Sequence, residues 1–374
     1  MVEPVISVSN DRVTTTYKQD IEASQSRVEA WWNHEILDRA VIQVRVADKF
    51  KSEDEEQCPE KTPQDTESWF LDQQIVIPRL KRQLSDTYFG GEAFPVMFPV
   101  SGRMVAITAA YLGCPLEFID TETVWSHPIV DDWQQRPVLQ FDAGNKWWQQ
   151  SELLLKAAIG QADGYFVGVP DLNGPTEVLA RLRGTQRLAV DFYDQPQHIK
   201  PALAEINQAW YDYWQACVEV TRQAGGYFFW MGIWSDLPAT DLQSDFSIML
   251  SQDMFDEYFL PFIAEQTEMV ERTIYHLDGP GAVRHLDSLL DLPDLDGIQW
   301  VPGAGAKPSV EWIPLFKRIQ EAGKLAYTYC DQTHVQTLLK ELKPQGLMLV
   351  VEGCNSVDNA EQLLEDVFNW SKGE

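Results

Sequence analysis

Eight short apolar runs punctuate this sequence: VIQVRV at 41–46, PVMFPV at 95–100, YFVGVP at 165–170, YFFWMG at 227–232, TIYHLD at 273–278, GIQWVP at 297–302, LAYTYC at 325–330 and LMLVVE at 347–352. Each has the length of a strand, and turn residues bound most of them. Most are apolar nearly throughout. A strand buried on both faces reads this way, and a parallel sheet clad in helices demands it. Apolar residues between the runs recur at helical spacing, over Asn145–Ala162 and Gln197–Gln223 and from Ser251, an N-cap signal, past Pro261, which is expected to bend that helix. Shorter crossover helices are predicted over Val310–Ala322, His334–Leu342 and Val357–Trp370, so the last four strands alternate with single helices. The pattern predicts an α/β fold, a (β/α)8 TIM barrel, with the doubly wound open sheet as the alternative.

The 374 residues fit one barrel domain over 1–374 that carries insertions. Residues 1–40 are expected to be an N-terminal helical extension, the barrel strands to fall within 41–352, and 101–164, too long for one crossover, to be an insertion or lid. The acidic, proline-containing stretch 49–67 reads as a surface loop.

Twenty-nine Lys and Arg face 57 Asp and Glu, a net charge of −28. That excess excludes nucleic acid as a partner and disfavours an anionic membrane surface. No apolar run is long enough to span a bilayer, and the N-terminus lacks the basic and apolar regions of a secretion signal. The five cysteines are odd in number and contain no C-x-x-C pair, so neither a disulfide framework nor a zinc ribbon is expected. A reduced, cytoplasmic enzyme acting on a small molecule follows. The 14 Trp suggest an aromatic-walled cavity, unless they simply fill the core.

In a barrel, chemistry lies where the strands end. The third run ends at Asp171 and Asn173, the fourth at Trp230, Trp234 and Asp236, and the fifth at His276 and Asp278. The later ones end at Gln299 and Trp300, at Cys330 and Asp331, and at Glu352 and Cys354. His276 and Asp278 stand two apart on a strand, so they share a face and can reach one ion. Cys354 offers a thiolate suited to Zn2+, and three protein ligands with an open fourth position describe a catalytic zinc site. Each residue also has a plainer role: His276 as a hydrogen-bonded strand-end histidine, Asp278 as a helix N-cap, Cys354 as a small buried apolar group. His285 and Asp287 do not share a helix face, and Cys114 and Cys217 read as core.

The stretches DFSIMLSQDMFDEYFLPFIAEQ, TIYHLDGPG, GIQWVPGAG and GLMLVVEGC, with GPTEVLARLRGTQRLAVDFYDQPQHI before them, resemble the uroporphyrinogen decarboxylase superfamily. The resemblance runs from about WWNHEILDRAVIQV onward and implies a (β/α)8 barrel. The decarboxylases of the superfamily carry a P-x-W-x-M-R-Q-A-G-R segment, where this chain reads DRAVIQVRVADK. The other branch holds zinc-dependent methyltransferases that work with methyl-corrinoid proteins, and its motif is H-x-C with a later cysteine after the last strand. His276 matches the histidine, Asp278 stands in place of the first cysteine, and Cys354 matches the second.

The resemblance therefore implies Zn2+ held by His276, Asp278 and Cys354, a thiol or similar acceptor, and a methyl group exchanged with a corrinoid brought by a partner protein. Asp236, Glu352 or Cys330 would supply a base or a further ligand. Trp230, Trp234, Gln299, Trp300 and Asp171 would shape the substrate pocket. The alternatives are a decarboxylase-like lyase with Asp171 or Asp236 as its acid, and a binding protein that keeps the fold without the chemistry.

Overall fold

The computed structural model describes residues 17–47 and 65–371, so Cys58 and most of the acidic 49–67 stretch lie outside the described residues. Thirteen strands are present among those described. They are β1 Val41–Ala47, β2 Thr87–Gly91, β3 Val96–Met97, β4 Leu116–Phe118, β5 Val124–Ser126, β6 Phe166–Val167 and β7 Tyr227–Phe228. There follow β8 Trp234–Ser235, β9 Ala239–Gln243, β10 Arg272–Asp278, β11 Gly297–Val301, β12 Leu325–Asp331 and β13 Leu347–Glu352.

Seven strands form one sheet in the order β2-β1-β13-β12-β11-β10-β9. Every neighbouring pair is parallel except β1 and β2. β3 pairs with β6 in parallel, and the Val169 N–H donates to the Phe228 carbonyl at 2.8 Å, carrying the connection on to β7. The fold is thus mixed α/β around a mostly parallel sheet.

Period-two alternation divides the side chains of this sheet between two cores. One core lies between the sheet and the helices and holds Ile42, Val44, Leu277, Ile298, Trp300 and Leu349. The other lies on the opposite face and holds Val41, Ile274, Leu325, Tyr327 and Met348. The same inner core takes in Phe94, Phe166 and Phe228 from around the short strands, their ring centroids 4.8–6.0 Å apart. The helix Ile21–Trp32 contributes Ile21, Val28, Trp31 and Trp32 to it.

All eight apolar runs contain strand, but the sheet neighbour of β10 is β9, sequence ATDLQ, which no apolar run marks. All five of its residues are buried, three of them polar. The fourth run is regular strand only at its first two residues. β2 at the sheet edge contains two glycines; Gly91 sits at φ +59°, where a Cβ would lie 2.1 Å from the Ile42 carbonyl.

Ser251 caps as expected, accepting from the Met254 N–H at 3.3 Å. Its helix ends at Tyr258, and Pro261 opens a second helix, Leu260–Met269, where a proline in the first turn costs nothing. The 101–164 stretch holds the β4–β5 hairpin and the helix Lys146–Gly160, capped by the Asn145 side chain. The presumed 49–67 loop runs into a helix at Thr66–Leu71. Among the described residues no helix is long and apolar enough to cross a membrane.

Phe228 is fully buried where the three rings meet. Phe228→Ala should cost about 3–5 kcal/mol of stability, a truncation plus a cavity. A urea midpoint unchanged in this variant would show that the inner core does not hold the short strands together.

Candidate metal centre

Parallel register lays out the site. His276 on β10 is opposite Gln299 on β11, Gln299 is opposite Tyr327 on β12, and Tyr327 is opposite Met348 on β13. In-register partners point to one face, so this row looks inward. Two residues further along β10 comes Asp278, the last of its strand.

The Gln299 amide oxygen lies 2.5 Å from His276 Nδ1. An amide oxygen only accepts, so Nδ1 carries the hydrogen and donates, and Nε2 keeps its lone pair free. The Trp230 ring meets the imidazole edge-on at 5.4 Å between centroids. The ring is fixed on two sides before any ligand arrives.

One ligand atom each of Asp245, His276 and Asp278 lies within 4.8 Å of the others. Asp245 follows β9 and opens the short 3-10 turn Asp245–Met249. Its Oδ1 is buried with no hydrogen-bond partner. Burial raises its pKa, with Asp278 and Asp171 adding to the rise and His276 opposing it. One nitrogen, two carboxylates and an unpartnered buried oxygen fit a divalent cation.

Further carboxyls stand behind this group. Burial first, and the neighbouring Asp171 second, push Asp241 up to about 8. Burial and the charge of Asp245 push Glu177 up to about 8 as well, although its Oε1 accepts from the Phe246 N–H at 2.8 Å and the Thr176 hydroxyl at 2.9 Å. Burial raises Asp171, against the hydrogen bonds from Asn173 and Gln243 and the charges of His276 and Arg181. Arg181 faces Glu177, Asp171 and Asp245.

Arg45, inward-facing on β1, occupies another part of the same face. Burial lowers its pKa, and Tyr327 and Tyr329 are its titratable neighbours. Its Nη2 donates to the Gln43 amide oxygen at 3.1 Å, and no carboxylate pairs with it among the described residues. The side chain is nevertheless exposed to solvent. The guanidinium thus lies among protein atoms and still meets solvent.

Several sequence-predicted residues stand elsewhere. Asp236 is bound to Arg272, the first residue of β10, at 2.7 Å, and Arg272 also holds Glu29 at 2.9 Å; this ion cluster is at the opposite end of β10 from Asp278. Trp234 lies near the same end, its carbonyl accepting from the Trp32 indole at 3.0 Å. Trp300 alternates with Gln299, so it faces the helix side and packs on Trp312 at 4.7 Å.

Cys330 is buried on that side too, with burial pushing its thiol up to about 12, which leaves it inert as a nucleophile at neutral pH. Glu352 is exposed at the end of β13. Cys354 is half-buried with Sγ 3.7 Å from the Gln332 amide oxygen, burial raises its pKa, and it is not in the three-residue group. Asp245, Asp241 and Arg45 escaped the sequence reading. The signal for the first two was there in TDLQSD, a polar stretch placed just before a predicted helix.

No family model matches this sequence, and no curated protein matches it. Among solved structures, the chain is similar to a methyltransferase from Methanosarcina mazei, at 13% identity and a TM-score of 0.57, over 93% of this chain and 98% of that one. At that identity the likeness is one of fold, extending over nearly the whole of both chains.

Proposed function

We propose that this protein is a metal-dependent methyltransferase acting on a small protic acceptor, built on a closed (β/α)8 barrel of the uroporphyrinogen decarboxylase type. The observation that carries this reading is the His276–Asp245–Asp278 group, with His276 held in one tautomer by Gln299. The Methanosarcina mazei neighbour bears the name methyltransferase, and the shared fold is consistent with the reading.

His276 Nε2 and the carboxylates of Asp245 and Asp278 would hold the ion, with Zn2+ the first choice from the sequence resemblance and two hard oxygen donors admitting other divalent ions. A bound divalent cation would lower the pKa of a thiol or similar acceptor, making it nucleophilic near neutral pH. Trp230 walls the ring side and limits water there. The acidic residues behind the group lack enough positive charge to ionise together, which favours a cation. Arg45, on the same face of the sheet, offers the opposite charge and would bind an anionic group, such as a carboxylate, on the acceptor. The methyl group would come from a corrinoid on a partner protein.

Metal content should report the ligand set directly. Protein loaded with zinc and desalted should keep about one ion per chain in the wild type and in Cys354→Ala, while Asp245→Ala should weaken binding by at least about tenfold. The reverse pattern would return the third position to the cysteine. Because Asp245 holds its proton more tightly than an ordinary aspartate, proton and metal compete, and metal affinity should rise with pH above the usual carboxylate range. A flat titration would place the ion elsewhere.

Methyl transfer from methylcobalamin to 3-mercaptopropionate tests the activity. Arg45→Met should raise KM for that thiol by about 10- to 100-fold, the loss of one charge-assisted contact, and leave uncharged 2-mercaptoethanol nearly unaffected. Absence of both metal and transfer in the wild type would end the methyltransferase reading.

A further inference from the structure

β9 ends the seven-stranded sheet, paired with β10 on one side and with no strand on the other among the described residues. The loop after β6 comes against its last residue. A Cβ at Gly174 would lie 1.9 Å from the Gln243 carbonyl oxygen, so only glycine lets the loop approach this closely. A small cavity remains at this seam, with room of about 10 Å³ for the centre of a water molecule. It lies between residues 240–243 of β9, Asn173 and Gly174 of the loop, Trp210 of the helix Ile199–Thr221 and Gln266 of the helix Leu260–Met269.

Two of these residues bring a buried amide oxygen that has no hydrogen-bond partner among the described residues, Asn173 Oδ1 and Gln266 Oε1. Gln266 is 1% exposed, out of reach of bulk solvent. The orientation of the Asn173 amide is settled by its other atom. Its Nδ2 donates to Asp171 Oδ1 at 3.2 Å, an oxygen that also accepts from the Asn173 N–H at 2.9 Å and from Gln243 Nε2 at 2.7 Å. The Asn173 Oδ1 is thereby turned away from Asp171. Dry cavities in proteins are apolar, whereas one lined by unmet polar atoms holds water once it offers about 10–15 Å³ and two or more partners.

We propose that this cavity is the binding site of a single structural water, which donates to Asn173 Oδ1 and to Gln266 Oε1. The water bridges the loop after β6 to the helix Leu260–Met269 across the edge of β9. Both orphan groups are acceptors, and one water has two hydrogens to give. The bridge bears on the candidate metal centre through geometry. Asn173 supplies two of the three hydrogen bonds at Asp171 Oδ1, and its backbone stands at φ +54°, a left-handed conformation that the surroundings must support. Gln243, which supplies the third, is opposite His276 in the β9–β10 register. A water that fixes Asn173 therefore steadies the loop that carries Asp171. The inference is independent of the methyl-transfer reading and holds whatever the protein's reaction.

A high-resolution crystal structure of the wild type tests it. One density peak should occupy the cavity, about 2.5–3.0 Å from each of the two amide oxygens. Crystals soaked in thallium acetate should show no anomalous signal there. In solution, oxygen-17 relaxation dispersion should count one long-lived water fewer in Gln266→Met, which fills similar space and removes the polar end of the side chain. The Asn173 amide, freed to move, should exchange its hydrogen at least about tenfold faster in that variant.

A cavity without density in the wild type would overturn the proposal, and that map decides it even if Gln266→Met does not fold. A thallium peak would make the site one for a monovalent cation and overturn it as well. Equal water counts in the two proteins, or equal exchange at Asn173, would overturn the bridge.

Discussion

The hydrogen bond from His276 Nδ1 to the Gln299 amide is possible only because β10 and β11 run parallel with these two residues opposed. Everything else at the centre is arranged around it. With Nδ1 committed, Nε2 is the one ring atom able to bind a ligand, and the ring plane is set. The same register places Tyr327 next in the row and sends Trp300 to the opposite face. A slip of one residue would exchange the inner and outer sets throughout the strand, placing Leu277 in the site and His276 among the helices. The two cores, one on each face, are what hold the register: moving it would expose or overpack a face already filled with Ile274, Leu325 and Met348.

The two ends of β10 have opposite duties. Its first residue, Arg272, is buried against Glu29 and Asp236, an ion cluster that fastens the helix Ile21–Trp32 and the β8 region to the sheet. Its last residue, Asp278, makes no ion pair with Lys or Arg among the described residues and belongs to the group with Asp245 and His276. Seven residues at about 3.3 Å each separate them by roughly 20 Å. The ion cluster and the candidate metal group thus stand at opposite ends of one strand of seven residues. Asp236 is a candidate acid in the sequence because it stands where the fourth apolar run ends, and the structure sets it at the fastening end.

Much of the fold was legible because the strands within the eight runs are mostly buried and so read as apolar runs. The site was legible where it lay on those runs: His276 and Asp278 are in TIYHLD, and Gln299 is in GIQWVP. It was illegible where a strand is buried yet polar. ATDLQ has no apolar period to detect, since Thr240, Asp241 and Gln243 are buried for the interactions they make with neighbouring polar groups. That hid both β9 and Asp245 just beyond it, so the sequence reading joins His276 and Asp278 with Cys354, whereas the structure brings Asp245 beside them. Arg45 was missed for a related reason. Within VIQVRVA it is the one charge, and only the structure shows that among the described residues no acid pairs with it.

The buried carboxyls set the terms on which such a centre can exist. Asp171, Asp241, Asp245, Asp278 and Glu177 stand near one another with His276 and Arg181 as the nearby groups able to carry positive charge. Ionising all five without a counterion would set like charges against one another in surroundings poor in water, so protons remain on some of them, as the values near 8 for Asp241 and Glu177 express. The sign follows from linkage. A carboxyl raised in the folded state binds its proton more tightly there than in the unfolded chain, so it favours folding at low pH and that contribution is lost as pH rises toward 8. Near neutral pH the cluster is therefore a standing cost to the fold, and what lowers that cost is a positive charge at the mouth of the cluster. The atoms offered there, an imidazole nitrogen and two carboxylates, are the donors a divalent cation would take.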